Sequence, residues 1–233
     1  MNATYLFERQ GLGGPHPTLP HSSESFWTSL FSLFLLHLGK KKNNGNQLSI
    51  WWCKKPPYPP WYEPRPKNSF LDLRGLEFDD LAVEPPTLAG RYFETNVEVP
   101  PNIGGIRPDV LVRLRSAGSN IDTRYVLIEN KTVGADLNTN QLEGYARLLS
   151  FLDGQNIQSQ FLLLLSVGTT EAIYRSAKAL QQKLEVRFGL LLWEDILQQM
   201  KESQFNLPGL DIDGWQKYTQ GLDTDVGLRV PIA

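Results

Sequence analysis

The chain reads as an α/β domain built on a mixed sheet, and three observations carry that reading. Strand-like and helix-like segments alternate from residue 92 onward in the order β-β-β-α-β-α-β-α, with one helix ahead of them. Within that succession, Gln160 to Val167 is a dense apolar run, the pattern of a strand buried on both faces. Apolar residues make up 41% of the chain and aromatic residues 11%, enough to build a sizeable core and to exclude wholesale disorder. At about 150 residues per domain, 233 residues allow one to two domains.

Residues 1–21 are rich in Gly and Pro and read as an N-terminal tail. Phe26 to Leu38 (FWTSLFSLFLLHL) predicts a buried amphipathic helix. Ser22 or Ser23 would cap it, Glu24 would sit in its first turn, and Phe26, Leu30, Phe34 and Leu38 would form one apolar row. A bilayer span takes about 20 apolar residues, and this stretch is shorter and is broken by Thr28, Ser29, Ser32 and His37. Only Arg9 precedes it and Lys40-Lys41-Lys42 follow it, the reverse of a signal peptide. No stable membrane insertion is expected. The alternative, a helix lying in a membrane surface, requires this segment to be exposed.

Residues 39–67 form a basic, Pro-rich insert. Lys40, Lys41, Lys42, Lys54, Lys55, Arg65 and Lys67 stand against Glu63 alone, with Trp51, Trp52, Tyr58, Trp61 and Tyr62 interleaved. Such a segment suits phosphate contact with ring stacking on unpaired bases. It equally suits a solvated insert whose Trp residues pack back on the domain, or a Pro-rich docking site for a protein partner. Residues 68–98 are acidic, so the net charge of −2 conceals a basic segment beside an acidic one.

Tyr92 to Val99 alternates like a half-buried strand and stops at Pro100-Pro101. Asp109 to Arg115 and Arg124 to Lys131 read as a strand pair joined by a polar loop. Asn138 to Phe151 is helical, with Asn138 and Gln141 spaced as a capping pair. After the buried strand at 160–167, Thr170 to Leu184 predicts a helix, Val186 to Trp193 a strand and Glu194 to Lys201 a short helix. The domain thus runs over 22–200, with a C-terminal tail at 201–233.

Counting narrows the chemistry. Cys53 is the only cysteine, which excludes a disulfide framework or a Cys-rich zinc module and points to the cytoplasm. The three histidines, His16, His21 and His37, all lie near the N-terminus, so Ser-His-Asp and HNH chemistry are poor fits. Carboxylates and lysines remain.

Glu129 and Lys131 are i and i+2 on a strand and project to one face, with Asn130 turned away. Folding the chain about the middle of the 116–123 loop sets Asp109 opposite residue 130, give or take one or two. Two carboxylates and an ammonium then share one patch. A carboxylate pair is costly to bring together unless a cation sits between them, and all-oxygen ligation selects Mg²⁺ or Mn²⁺. Gln141 and Tyr145, i and i+4 on the following helix, share a face.

On these residues the chain resembles the PD-(D/E)xK nuclease superfamily. Pro108-Asp109 matches the PD half, Glu129-Asn130-Lys131 the ExK half, and Gln141 to Tyr145 the Q-x-x-x-Y helix found in many members. Glu24 is similar to the acid that starts the family's first helix. The resemblance covers residues 22–200 and implies a restriction-endonuclease-like αβββαβ core, a mixed central sheet flanked by helices. The long insert at 39–67 and the C-terminal tail depart from the family pattern.

The resemblance further implies a Mg²⁺-dependent phosphodiesterase, with Mn²⁺ as substitute, acting on nucleic acid. A DNA endonuclease of restriction, repair or mobile-element type is the leading case. Asp109, Glu129 and the Asn130 main-chain carbonyl would hold the metal, and Lys131 would orient or deprotonate the attacking water. Gln141 would hold the water or a phosphate, and Glu24 would complete the metal's surroundings. Structural readings stand beside these. Glu24 serves the helix dipole, Gln141 caps its helix, Tyr145 and Trp193 pack the core, and Asp109 and Lys131 form a surface ion pair at a sheet edge. Glu98 is the substitute for Glu24. A catalytically inactive nucleic-acid-binding or assembly module that keeps the fold is the alternative function, and a homodimer is compatible with double-strand cutting.

Overall fold

The computed structural model describes residues 24–40, 47–54, 62–64, 70–72, 81–83, 99–115, 123–131, 139–165, 171–205 and 212. Helix α1 spans Glu24–Lys40, and short strands follow: β1 (Gln47–Ser49), β2 (Trp51–Cys53), β3 (Tyr62–Pro64), β4 (Phe70–Asp72) and β5 (Leu81–Val83). A four-residue helix α2 (Pro101–Gly104) precedes β6 (Val110–Arg115) and β7 (Thr123–Asn130). Then come α3 (Thr139–Gly154), β8 (Gln158–Leu165), α4 (Glu171–Leu184), a 3₁₀ turn at Glu185–Arg187, β9 (Phe188–Leu192) and α5 (Trp193–Glu202).

Among the described residues, seven strands form one mixed sheet in the order β3-β2-β9-β8-β7-β6-β5, while β1 and β4 pair separately. β5, β6 and β7 run antiparallel; β7, β8 and β9 run parallel; β2 returns antiparallel beside β9. Parallel neighbours need a crossover, and α3 and α4 supply the two required. The parallel centre must be covered on both faces, which is why Phe161 to Leu165 of β8 are all buried.

Alternation along the strands divides the core into two clusters. Val110, Val112, Val126, Ile128, Leu162 and Leu164 face α1 and α5. Leu111, Tyr125, Leu127, Phe161 and Leu163 face α3 and α4. The result is an α/β/α layering. α3 and α5 end alike. Asn156 and Gln204 take positive φ of 59° and 55°, and the next residue donates its N–H five positions back, to Leu152 and Met200.

α1 is packed on the sheet, with Leu30, Phe31, Phe34 and Leu35 fully buried. That removes the in-plane membrane reading, and no described helix is long and apolar enough to cross a membrane. The 39–67 insert needs correction in its described part. β2 and β3 are strands of the main sheet, with Cys53 and Tyr62 buried, so this portion is structural and not a solvated appendage. Lys178 Nζ and Gln181 hold the backbone of Cys53 to α4. Trp51 packs back as half of that reading expected, its indole N–H donating to Asp195.

Of the strand expected at 92–99, only Val99 is described, in a single bridge, and the strand beside β6 is the earlier β5. The strand expected from Val186 starts at Phe188, because Glu185 takes a positive φ of 49° and the chain turns there first. Trp193 opens a helix and does not close that strand. Packing also continues past residue 200, since Phe205 is buried against α1 and Ile212 packs on the same cluster.

Candidate active site

The β6–β7 ladder pairs Val110 with Ile128, and one step further Asp109 lies opposite Glu129, one residue from the expected register. Glu129 and Asn130 close β7, and Lys131 follows directly, anchored by its N–H to the Leu164 carbonyl at 2.8 Å. The peptide groups that bond β8 alternate with those that face β6. The N–H of Asn130 therefore turns toward β6 and donates to Asp109 Oδ2 at 2.6 Å. In a strand the N–H and C=O of one residue face the same side, which sets the Asn130 carbonyl toward the same edge.

Glu129 is 2% exposed and is met by three donors. Gln141 Nε2 reaches Oε1 at 2.7 Å, Lys131 Nζ stands 3.0 Å from the same oxygen, and the Tyr145 hydroxyl donates to Oε2 at 2.5 Å. Burial pushes the Glu129 carboxyl above its ordinary range, opposed by the Lys131 charge and the hydrogen bonds from Tyr145, Lys131 and Gln141. Burial and then the Glu129 charge push the Tyr145 phenol well above 10, with Asp109 contributing in the same direction. Tyr145 thus stays protonated and serves as a donor at working pH.

The helix that delivers Gln141 and Tyr145 lies close because Gly144 allows it. A Cβ there would meet Ile106 Cδ1 at 2.9 Å, and Ile106 belongs to the segment leading into Asp109. The Arg107 carbonyl, an alternative acceptor for the single Tyr145 hydroxyl proton, lies 3.2 Å from that oxygen, and the Arg107 side chain is exposed.

On the other face of the sheet, Asn130 sends its side chain toward α1 and α5, as the i, i+2 argument requires. Lys131 is 7% exposed, which corrects the picture of a solvated residue at a sheet edge. Gln141 commits its amide to Glu129, and its expected capping partner Asn138 lies outside the described residues. Glu24 opens α1, but its side chain, like Glu98, lies outside the described residues.

Comparison of the chain with protein-family models, curated proteins and solved structures gives no match. Among the described residues there is no cluster of three or more His, Cys, Asp or Glu. Cys53 and His37 are engaged elsewhere, the first buried beside α4 and the second 3.2 Å from the Ser203 carbonyl. Two carboxylates and a carbonyl without soft ligands fit Mg²⁺. That ion keeps several waters and is typically held by one or two carboxylates together with substrate phosphate.

Three participants were not legible as such in the sequence. Tyr145 packs on Phe161 with ring centroids 4.4 Å apart, yet its hydroxyl is a site donor. A buried Tyr usually finds a partner for its hydroxyl, and its i, i+4 relation to Gln141 was the signal available. Trp193 and Thr28 reach Asn130 from distant parts of the chain, and no local pattern announces that.

Proposed function

We propose that this protein is a divalent-cation-dependent phosphodiesterase acting on nucleic acid, with a DNA endonuclease as the leading case. One observation carries the reading. Asp109 and Glu129 stand opposite each other at the end of the β6–β7 ladder, with the Lys131 ammonium 3.0 Å from Glu129. The element order from β5 through β8, a three-strand meander, a crossover helix and a parallel strand, supports a restriction-endonuclease-like core. So does the resemblance of the PD, ExK and Q-x-x-x-Y segments to the PD-(D/E)xK superfamily.

Asp109, Glu129 and the Asn130 carbonyl would hold Mg²⁺, which would polarise the scissile phosphate and lower the pKa of a bound water. Each protein group then has a defined task. Asn130 N–H fixes one Asp109 oxygen, and Tyr145 and Gln141 hold the Glu129 carboxylate in one rotamer. Lys131, paired with a carboxylate, acts as a donor that orients the attacking water and offsets charge on the phosphate. Arg107, exposed just ahead of Pro108-Asp109, supplies a further cation for the nucleic-acid backbone. Cutting both strands of a duplex would take two copies of this site.

A second reading has its own support. Glu129 already finds three donors within the protein, as a structural polar cluster would. That favours a non-catalytic nucleic-acid-binding or assembly module on the same fold. Calorimetric titration with Mg²⁺ separates the two. The enzyme reading expects binding that Asp109→Asn abolishes; absence of binding in the unmodified protein, with or without DNA, supports the module.

A further inference from the structure

Asn130 sits between two site residues and works in three directions. It is 1% exposed. Its backbone N–H donates to Asp109 Oδ2 at 2.6 Å. Its side-chain carbonyl accepts from Trp193 Nε1 at 3.0 Å, and its amide nitrogen donates to Thr28 Oγ1 at 3.2 Å. Thr28 lies on α1 and Trp193 opens α5, so both helices on that face grip the residue that separates Glu129 from Lys131.

The amide orientation follows from chemistry. An indole N–H can only donate, so Oδ1 must face Trp193, and this leaves the amide nitrogen for the Thr28 hydroxyl. The indole needs no help to stay in place. Its ring packs edge-on against Trp27 at 4.5 Å and Phe31 at 6.1 Å. An apolar residue at 130 would fill this position without demanding partners, and a buried amide left unpaired is costly. The strand ladder sets which edge the 130 N–H faces, and the two side-chain bonds hold the same residue from the opposite face of the sheet, fixing the angle of that N–H within the ladder.

We propose that Asn130 is a positioning residue: through it, α1 and α5 orient the peptide whose N–H aims Asp109, and so set the spacing of Asp109 and Glu129 toward a shared divalent cation. The part concerning the cation rests on the function proposed above; the part concerning Asp109 does not. Groups that orient metal ligands through hydrogen bonds typically change metal affinity by about 10- to 100-fold when removed.

The test uses the full chain with Thr28→Val, Thr28→Ser and Trp193→Phe. Valine keeps the volume and loses the acceptor, whereas serine keeps the acceptor and loses a methyl group. A packing role ranks valine as the milder change; positioning ranks serine as the milder. The first readout is the Asn130 amide proton resonance in ¹⁵N-labelled protein, which the short bond to Asp109 should place downfield. It should move upfield in Thr28→Val and Trp193→Phe and stay near its original position in Thr28→Ser, with the Lys131 amide unchanged in all three. The second readout is affinity for Mn²⁺ alone, expected to fall about tenfold in Thr28→Val and Trp193→Phe and to be retained in Thr28→Ser. An unmoved Asn130 resonance in both Thr28→Val and Trp193→Phe overturns the proposal. Absence of Mn²⁺ binding in the unmodified protein overturns the proposed function and the cation part, while the resonance still decides whether Asn130 orients Asp109.

Discussion

Glu129 is where opposing forces meet at the scale of single residues. Burial disfavours its charge, while Lys131, Tyr145 and Gln141 favour it, and burial prevails. A carboxyl whose folded pKa is raised contributes stability that is present below its ordinary value of 4.5 and lost as pH rises through the folded value. The metal-free protein is therefore expected to lose thermal stability over that interval, and Glu129→Gln to flatten the loss, as read from melting temperature against pH. Added Mg²⁺ at neutral pH should restore stability to the unmodified protein and not to the variant. Tyr145→Phe deletes the donor to Oε2 while keeping the ring on Phe161, and should reduce cleavage by about 10- to 100-fold with little change in fold, checked by activity and circular dichroism. Cys53 offers a probe of the native state. Burial pushes its thiol up to about 12, against the Lys178 charge. It should resist a thiol reagent at pH 8 and react as the chain's single thiol once unfolded.

At the level of elements, β9 carries Gly189, the most closely enclosed of the described glycines. A Cβ on Gly189 would come within 2.6 Å of Ile50 Cγ2 and 2.9 Å of Leu162 Cδ2. Gly189→Ala is expected to cost about 1–3 kcal/mol through overpacking, measured by denaturant unfolding. Elements with a long, strong pattern were readable from the sequence: α1, β6, β7, α3, β8, α4 and α5 all stand within a few residues of where the pattern set them. β8 shows why, because a strand buried on both faces must be apolar throughout and has no other reading at that length. β2 and β3 were not readable. Three residues each, beside Lys and Pro, they carry no period of their own, and β2 is a strand because β9 offers an edge. Register is a different matter. The hairpin arithmetic reached Glu129 within one residue because Asp109 and Glu129 lie on two strands that are consecutive in sequence and paired to each other.

At the scale of the whole molecule, the α/β/α layering follows from one fact of composition, a parallel strand set too apolar to face water on either side. Helices must then cover both faces, and the ends of β7 and β6 become the place where the polar residues gather. The parts of the site adjacent in sequence or across one hairpin were legible: Asp109, Glu129, Lys131 and Gln141, whereas Tyr145 read as a packing residue and its hydroxyl bond to Glu129 emerges only in the fold. The grip of Thr28 and Trp193 on Asn130, spanning 102 and 63 positions, belongs to the tertiary fold alone. In the function proposed above, Asp109, Glu129 and Lys131 form a cation-dependent phosphodiester-cleaving centre. Its most direct test is incubation of supercoiled plasmid with the purified protein and Mg²⁺, comparing the unmodified chain with Asp109→Asn and Lys131→Ala. Nicking that chelation stops and that both substitutions abolish is the expected result; nicking that persists in Lys131→Ala would overturn the assignment of roles.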